Sequence, residues 1–255
     1  MIAWVSVWAP DAILTAFIVF CRVGACLMIM PGFSSARIPM QVRLFVVLGV
    51  SLILTPLVAP TLGPIVAGAD LSRIVFLIVT ESLVGAQIGL VGRLFFLALQ
   101  TMGQAIAMFM GFGMMAGVAL DEPEPVPAMT TLIMTTATAL LFITDQHWEV
   151  IRGLVGSYAV MPPVEGLSAR IGLVRLADGL SAAFALCLQI AAPFLVFSFV
   201  MNLAFGITNK FIPQVPVYFL SLPFMLIGGL FTFYFLSGDM FALFTGRFGA
   251  WVMGG

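Results

Sequence analysis

Apolar residues occur in long runs along this chain, separated by short stretches that carry prolines, glycines and charges. The runs lie near 12–31, 44–66, 74–95, 95–119, 128–144, 179–205 and 215–236, and a weakly amphipathic tail follows from Asp239. A membrane-spanning helix needs roughly 20 apolar residues. The pattern predicts an all-α, multi-pass integral membrane protein with six to seven membrane-type segments.

Proline positions predict that several of these helices are broken or kinked, because proline lacks an amide donor and clashes with the preceding turn. The Pro31-Gly32 pair should end the first helix. A second group should break up the end of the second helix and kink or divide the last two: Pro56, Pro60, Pro64, Pro193 and Pro223. We therefore expect a multi-helix protein built from interrupted helices and helical hairpins.

The longest apolar stretch runs from Glu81 to Pro127 and begins with a glycine-rich helical face. Residues at spacings of three, four and seven share that face: Glu81, Gly85, Gly89, Gly92, Phe96 and Gly103. Glycines at a spacing of four let helix backbones approach closely, and this pattern also occurs at Gly113 and Gly117. We predict helix packing at Gly85, Gly89, Gly92, Gly113 and Gly117.

The middle of the same stretch reads MFMGFGMM, from Met108 to Met115. Flexible thioethers beside aromatic rings can form a deformable hydrophobic seal across a pore, and glycines at 111, 113 and 117 weaken the helix there. Ordinary core packing is the alternative. The candidate seal residues are Met108, Phe109, Met110, Phe112, Met114 and Met115.

Three charges lie inside apolar segments, where each is costly unless it meets protein, water or a counter-charge. They are Arg22, Glu81 and Arg93. Because Glu81 and Arg93 are about 18 Å apart along one helix, they cannot pair with each other, and each needs a partner from this chain or another subunit. Two interpretations remain open: ion pairs that fix packing, or a site for a transported ion.

Composition agrees with a membrane protein and argues against several functions. Of 255 residues, 62% are hydrophobic and 8% charged, and the net charge of -1 without a basic cluster disfavours nucleic acid as a partner. The single histidine, His147, lacks companions for a zinc site, and no HExxH, GxSxG or P-loop motif occurs. We expect no enzyme, cofactor or metal. Counting seven crossings places most arginines, and the C-terminus, in the cytoplasm.

The segment NLAFGITNKFIPQVPVYFLSLPFMLIGGL, starting at Asn202, resembles the signature of the FliR/SctT family of flagellar and type III secretion export-gate proteins. The matching positions are Asn202, Gly206, Asn209, Pro213, Gln214 and Pro223. The similarity extends through 22–44, 81–96 and 146–162. Departures are Asp145-Gln146-His147, where a Gly-His or related pair is common, and the acidic DEPEPVP turn.

This resemblance implies one membrane-embedded domain, 1–255, with a P-like part at roughly 1–178 and a Q-like hairpin part at roughly 179–255. It implies one copy in a helical hetero-oligomeric gate with FliP and FliQ, beside FlhB and FlhA, in the bacterial inner membrane at the flagellar basal body. It also implies that a loop, here Ile106 to Glu122, helps plug the closed channel to unfolded protein substrates.

The function expected from the resemblance is a core subunit of the flagellar type III protein export gate. A small-solute or ion transporter that uses Arg22, Glu81 and Arg93 is the alternative. A structural scaffold without contact to the pore is a third hypothesis.

Overall fold

A computed structural model describes residues 10–35, 38–113, 127–163, 169–214 and 217–254 of the chain. Seven helices account for nearly all of them: α1 (Pro10–Ile29), α2 (Met40–Val66), α3 (Leu71–Phe109), α4 (Ala128–Ile143), α5 (Gln146–Val160), α6 (Ala169–Phe211) and α7 (Val217–Gly254). No β-strand occurs in these ranges. The predicted all-α fold is confirmed.

Five of these helices, α1, α2, α3, α6 and α7, are long and apolar enough to cross a membrane. Helices α4 and α5, taken as a pair, are a sixth candidate span. The predicted runs 74–95 and 95–119 were wrong as separate segments, because α3 continues through Phe109 over 39 residues. No proline interrupts α3, and its glycines are held by packing. In the part of the chain that the structure describes, five or six candidate spans replace the seven crossings on which the predicted orientation rested.

The prolines do not divide the helices. Helix α2 contains Pro56, Pro60 and Pro64 and still runs to Val66, so the expected break is wrong. Pro193 and Pro223 likewise lie inside α6 and α7. Each proline removes one backbone hydrogen bond but leaves the neighbouring bonds of the helix in place, so the helix continues past it.

The chain forms two compact units. The first comprises Met1–Leu94, Asp145–Leu180 and Gly249–Gly255, and the second comprises Phe95–Thr144 and Ser181–Phe248. Helices α3, α6 and α7 contribute residues to both. The core of the first unit contains the inward faces of α1 and α2, including Ile18, Val23, Val47, Leu54 and Leu62. The predicted P-like and Q-like parts concern likeness to other subunits, and they stay a prediction.

The second unit contains an antiparallel hairpin of α6 and α7. The rings of Phe205 and Phe224 lie 6.0 Å apart near the turn, and those of Phe194 and Phe233 lie 6.4 Å apart farther along. Its core also contains a cluster of edge-to-face aromatic rings, in which the ring centroids of Phe96 and Phe244 lie 5.4 Å apart. Edge-to-face pairs of this kind stabilise buried helix contacts.

Two acidic residues mark helix starts in different ways. Asp70 caps α3, since its carboxylate accepts hydrogen bonds from the Ser72 hydroxyl (2.7 Å) and the Arg73 amide (3.2 Å). These bonds, the one from Ser72 first, hold the pKa of the Asp70 carboxyl below its usual range. Asp145, between α4 and α5, has a φ of 58° in the left-handed region and makes no side-chain capping bond.

Candidate functional site

Helix α1 lies against the glycine-rich face of α3. A Cβ atom built on Gly85 would overlap the backbone carbonyl of Arg22, and one on Gly89 would lie 2.5 Å from the carbonyl oxygen of Cys26. One turn farther, a Cβ on Gly92 would overlap the thioether of Met30. Only glycine fits this approach, which brings the two helix backbones into direct contact.

Arg22 of α1 and Glu81 of α3 form a two-pronged ion pair at this contact. Arg22 Nε donates to Glu81 Oε2 over 2.6 Å, and Arg22 Nη2 donates to Glu81 Oε1 over 2.7 Å. Both residues are fully buried. The fork of a guanidinium matches the two carboxylate oxygens, so this is the strongest geometry available to such a pair.

Helix α5 completes the cluster around Arg22. Arg22 Nη1 donates to Ser157 Oγ over 2.9 Å, and Nη2 donates to the backbone carbonyl of Met161 over 3.1 Å. The Tyr158 ring lies 3.8 Å from the guanidinium carbon, in the range of a cation–π contact. Four of the five N–H groups of Arg22 thus have acceptors. We call Arg22, Glu81, Ser157, Tyr158 and Met161 the arginine cluster.

Arg93 lies outside the arginine cluster, with an exposed side chain on α3. Of the three charges that the sequence placed inside apolar segments, the structure joins two. Sequence reasoning missed Ser157, Tyr158 and the Met161 carbonyl, since a hydroxyl, an aromatic ring and a backbone carbonyl at the end of an amphipathic helix carry no signal of what they contact. Ser157 lies in the last turn of α5, and Met161 is the residue that follows the helix.

Helix α3 ends in a glycine motif within the predicted seal. Gly111 has a φ of 83°. The Phe112 amide donates to the Ala107 carbonyl (2.8 Å), and the Gly111 amide donates to the Met108 carbonyl (3.1 Å). This pair of bonds with a left-handed glycine defines a Schellman C-cap. Gly111 therefore stops the helix, where the sequence had indicated only weakening.

The predicted seal residues have different surroundings. Met110 is fully buried, and its Cβ and Cγ lie 2.7 and 2.8 Å from the position a Cβ on Gly229 of α7 would take. Met108 is 69% exposed, whereas Phe109 and Phe112 are half-buried. Gly113 lies in the turn after α3, nearest to Met108, and not on a helix face. Met114, Met115 and Gly117 lie outside the described residues.

The residues of the C-terminal signature lie around the turn of the α6–α7 hairpin. Asn202, Gly206 and Asn209 are exposed on α6, Pro213 and Gln214 are exposed in the connection, and Pro223 lies in α7. The side-chain amide nitrogen of Asn202, Nδ2, donates to the backbone carbonyl of Ser198 over 2.8 Å. In the described ranges, no three His, Cys, Asp or Glu side chains are placed to hold a metal ion.

The fold and the arginine cluster define a class of protein: a multi-pass helical membrane protein in which two buried charges of the described residues, Arg22 and Glu81, neutralise each other. The chain belongs to the family described as bacterial export proteins, family 1, whose model matches residues 13–251. It is 34% identical over 217 residues to the flagellar biosynthetic protein FliR of Caulobacter vibrioides, covering 84% of this chain and 85% of that protein. The predicted family is confirmed.

More distant relatives have the same name. The FliR protein of Aquifex aeolicus is 25% identical over 231 residues, covering 88% of this chain and 86% of that protein. FliR of Escherichia coli is 27% identical over 211 residues, covering 82% of this chain and 78% of that protein. The similarity therefore spans most of each chain.

Proposed function

We propose that this chain is a core subunit of the flagellar protein export gate and forms part of the inner-membrane channel for unfolded substrates. The observation that carries the proposal is the family match over residues 13–251, with matching coverage of flagellar FliR proteins. The architecture of long apolar helices supports it, since such helices suit a membrane-embedded assembly.

The arginine cluster favours this function over solute transport. A transport site must exchange its ion with water, but Arg22 and Glu81 are both fully buried and bound to each other. Arg93, the third charge of the transporter hypothesis, has its side chain exposed elsewhere on α3. The cluster is therefore better suited to fixing α1, α3 and α5 than to carrying a solute.

We further propose that the end of α3 contributes to channel closure. Met108 is exposed, and Phe109 and Phe112 are half-buried beside the helix stop at Gly111. Met110 has a separate role, because its side chain anchors this segment against α7. Met114 and Met115, in the following part of the 106–122 segment, complete the proposed seal.

Exposed apolar surface supports assembly with other membrane subunits, which we propose to be FliP, FliQ, FlhB and FlhA. Large side chains on α6 and α7 are open in the single chain, among them Phe199, Phe211, Phe219, Phe231 and Phe235. Apolar patches of this kind require lipid or protein contact. We propose that one copy of this chain is present in the gate and that neighbouring subunits cover these side chains.

The test uses a strain of a flagellated bacterium from which the gene for this chain has been deleted. The wild-type chain should restore secretion of flagellar proteins and should be recovered with the other gate subunits. Replacing Met108, Phe109 and Phe112 by serine should keep assembly but make the membrane leaky to small solutes. A chain that moves a solute when purified alone, and that does not restore secretion, would contradict the proposal.

A further inference from the structure

Helix α2 presents three prolines at a spacing of four along its exposed side. Pro56, Pro60 and Pro64 are all exposed, and Ile53 and Leu57 beside them are 71% and 64% exposed. The buried side of α2 consists of different residues: Val47, Ser51, Leu54, Val58, Leu62 and Val66. The prolines therefore face away from the rest of the chain. We call Gly49, Ile53, Pro56, Leu57, Pro60, Gly63 and Pro64 the proline face.

The prolines remove hydrogen-bond donors from this face. In a regular helix, each amide donates to the carbonyl four residues earlier. The carbonyls of Leu52, Pro56 and Pro60 therefore lack their regular donors, since residues 56, 60 and 64 have no N–H. The repeat places these three carbonyls one turn apart on one side of a helix that is apolar enough to span a membrane.

Nearby hydroxyl groups within α2 serve other carbonyls. Thr55 Oγ1 donates to the Ser51 carbonyl over 2.7 Å, and Thr61 Oγ1 donates to the Val58 carbonyl over 2.8 Å. Lipid tails offer no donor, and a backbone carbonyl left unsatisfied in hydrocarbon is costly. The proline face is thus poorly suited to lipid.

The same face also has room for a second helix. Nothing lies within 4 Å of a Cβ atom built on Gly49 or on Gly63, near the two ends of the proline repeat. Elsewhere, at Gly85 and Gly89, glycines on this chain already admit a neighbouring helix backbone. An open glycine at each end allows a partner backbone to approach α2 closely at those two points.

We propose that the proline face binds a transmembrane helix of a different protein, one that presents hydroxyl or carboxamide donors to the carbonyls of Leu52, Pro56 and Pro60. Serine, threonine, asparagine or glutamine side chains at spacings of three or four would match the rise of the carbonyls along α2. This inference does not depend on protein export, because it follows from the missing donors of α2 alone.

The experiment places a photoreactive amino acid at Ile53 or at Leu57 in the full chain, in native membranes. The expected product is an adduct with a transmembrane peptide of another protein that has such donors at these spacings. Adducts with lipid alone, with a second copy of this chain, or with a helix without these donors would overturn the proposal.

A substitution series tests the role of the carbonyls directly. Replacing Pro56, Pro60 and Pro64 by alanine restores the internal donors, so adduct yield should fall at least fivefold while α2 itself becomes more stable. Leu48→Ala, an exposed change on α2 that leaves backbone bonding intact, is the matched control and should keep the yield. An unchanged yield in the alanine series, or in Pro60→Ala alone if the triple variant does not accumulate, would also overturn the proposal.

Discussion

Arg22 and Glu81, 59 positions apart in the sequence, form a buried two-pronged ion pair with N–O distances of 2.6 and 2.7 Å. The pair links α1 to α3, and the bonds from Arg22 to Ser157 and Met161 add α5. Gly85, one turn after Glu81, allows the close approach that the pair requires. The charges thereby hold three helices in register.

Breaking this pair from one side should strongly destabilise the protein. Glu81→Gln leaves the buried guanidinium without its counter-charge, and the loss of one partner of a buried pair costs about 3 to 5 kcal/mol. Thermal unfolding of the purified protein or complex in detergent should show a correspondingly lower midpoint. Arg93→Gln, a charge change at an exposed site on the same helix, is the matched control and should change stability little. Similar midpoints for Glu81→Gln and the wild type would contradict the assigned role of the pair.

Any side chain at position 85 should weaken the contact between α1 and α3. Gly85→Ala forces its methyl group into the Arg22 carbonyl, and because the obstacle is backbone, α1 must shift at a cost of about 2 kcal/mol. Gly156→Ala is the control, since nothing lies within 4 Å of a Cβ there and alanine favours a helix. Protease resistance of both variants measures the difference. An equal loss of protease resistance in the two variants would mean that the general effect of alanine on a helix, and not the contact with Arg22, determines the change in stability.

Asp145 should gain from replacement by glycine. Its φ of 58° is unfavourable for residues with a Cβ, and its side chain makes no capping bond in compensation. Asp145→Gly should raise stability by about 1 kcal/mol or less, and Asp145→Val should lower it, because β-branched residues tolerate this conformation least. Chemical unfolding curves give both values. If glycine were destabilising, the carboxylate would have a role that its geometry does not indicate.

Substitutions at Met108 and Met110 should distinguish a role in sealing the channel from a role in packing the core. Met110→Ala removes a fully buried side chain and should cost about 2 to 4 kcal/mol. Met108→Ala changes an exposed side chain and should leave stability unchanged while increasing solute leakage. Unfolding midpoints and dye uptake by cells provide the two readouts. Solute leakage caused by Met110→Ala without a loss of stability would contradict the assignment of Met110 to packing.

The helical class and the glycine face of α3 could be predicted from sequence because both rest on local periodicity. The pairing of Arg22 with Glu81 could not, since it depends on which helices become neighbours across a long separation. The prolines of α2 were misjudged for a related reason: the cost of proline is local, but packing of the buried face from Val47 to Val66 outweighs it. At Gly111, composition indicated a weak helix, and the backbone bonds show a complete stop.

The proposed role of this chain in lining the path of exported proteins can be tested by photo-crosslinking at Phe109 and Phe112 to an export substrate stalled in living cells. Adducts with the substrate are expected from both positions, and none is expected from Phe45, an exposed residue of α2. The absence of substrate adducts at Phe109 and Phe112, with the stalled substrate present and the gate assembled, would contradict it.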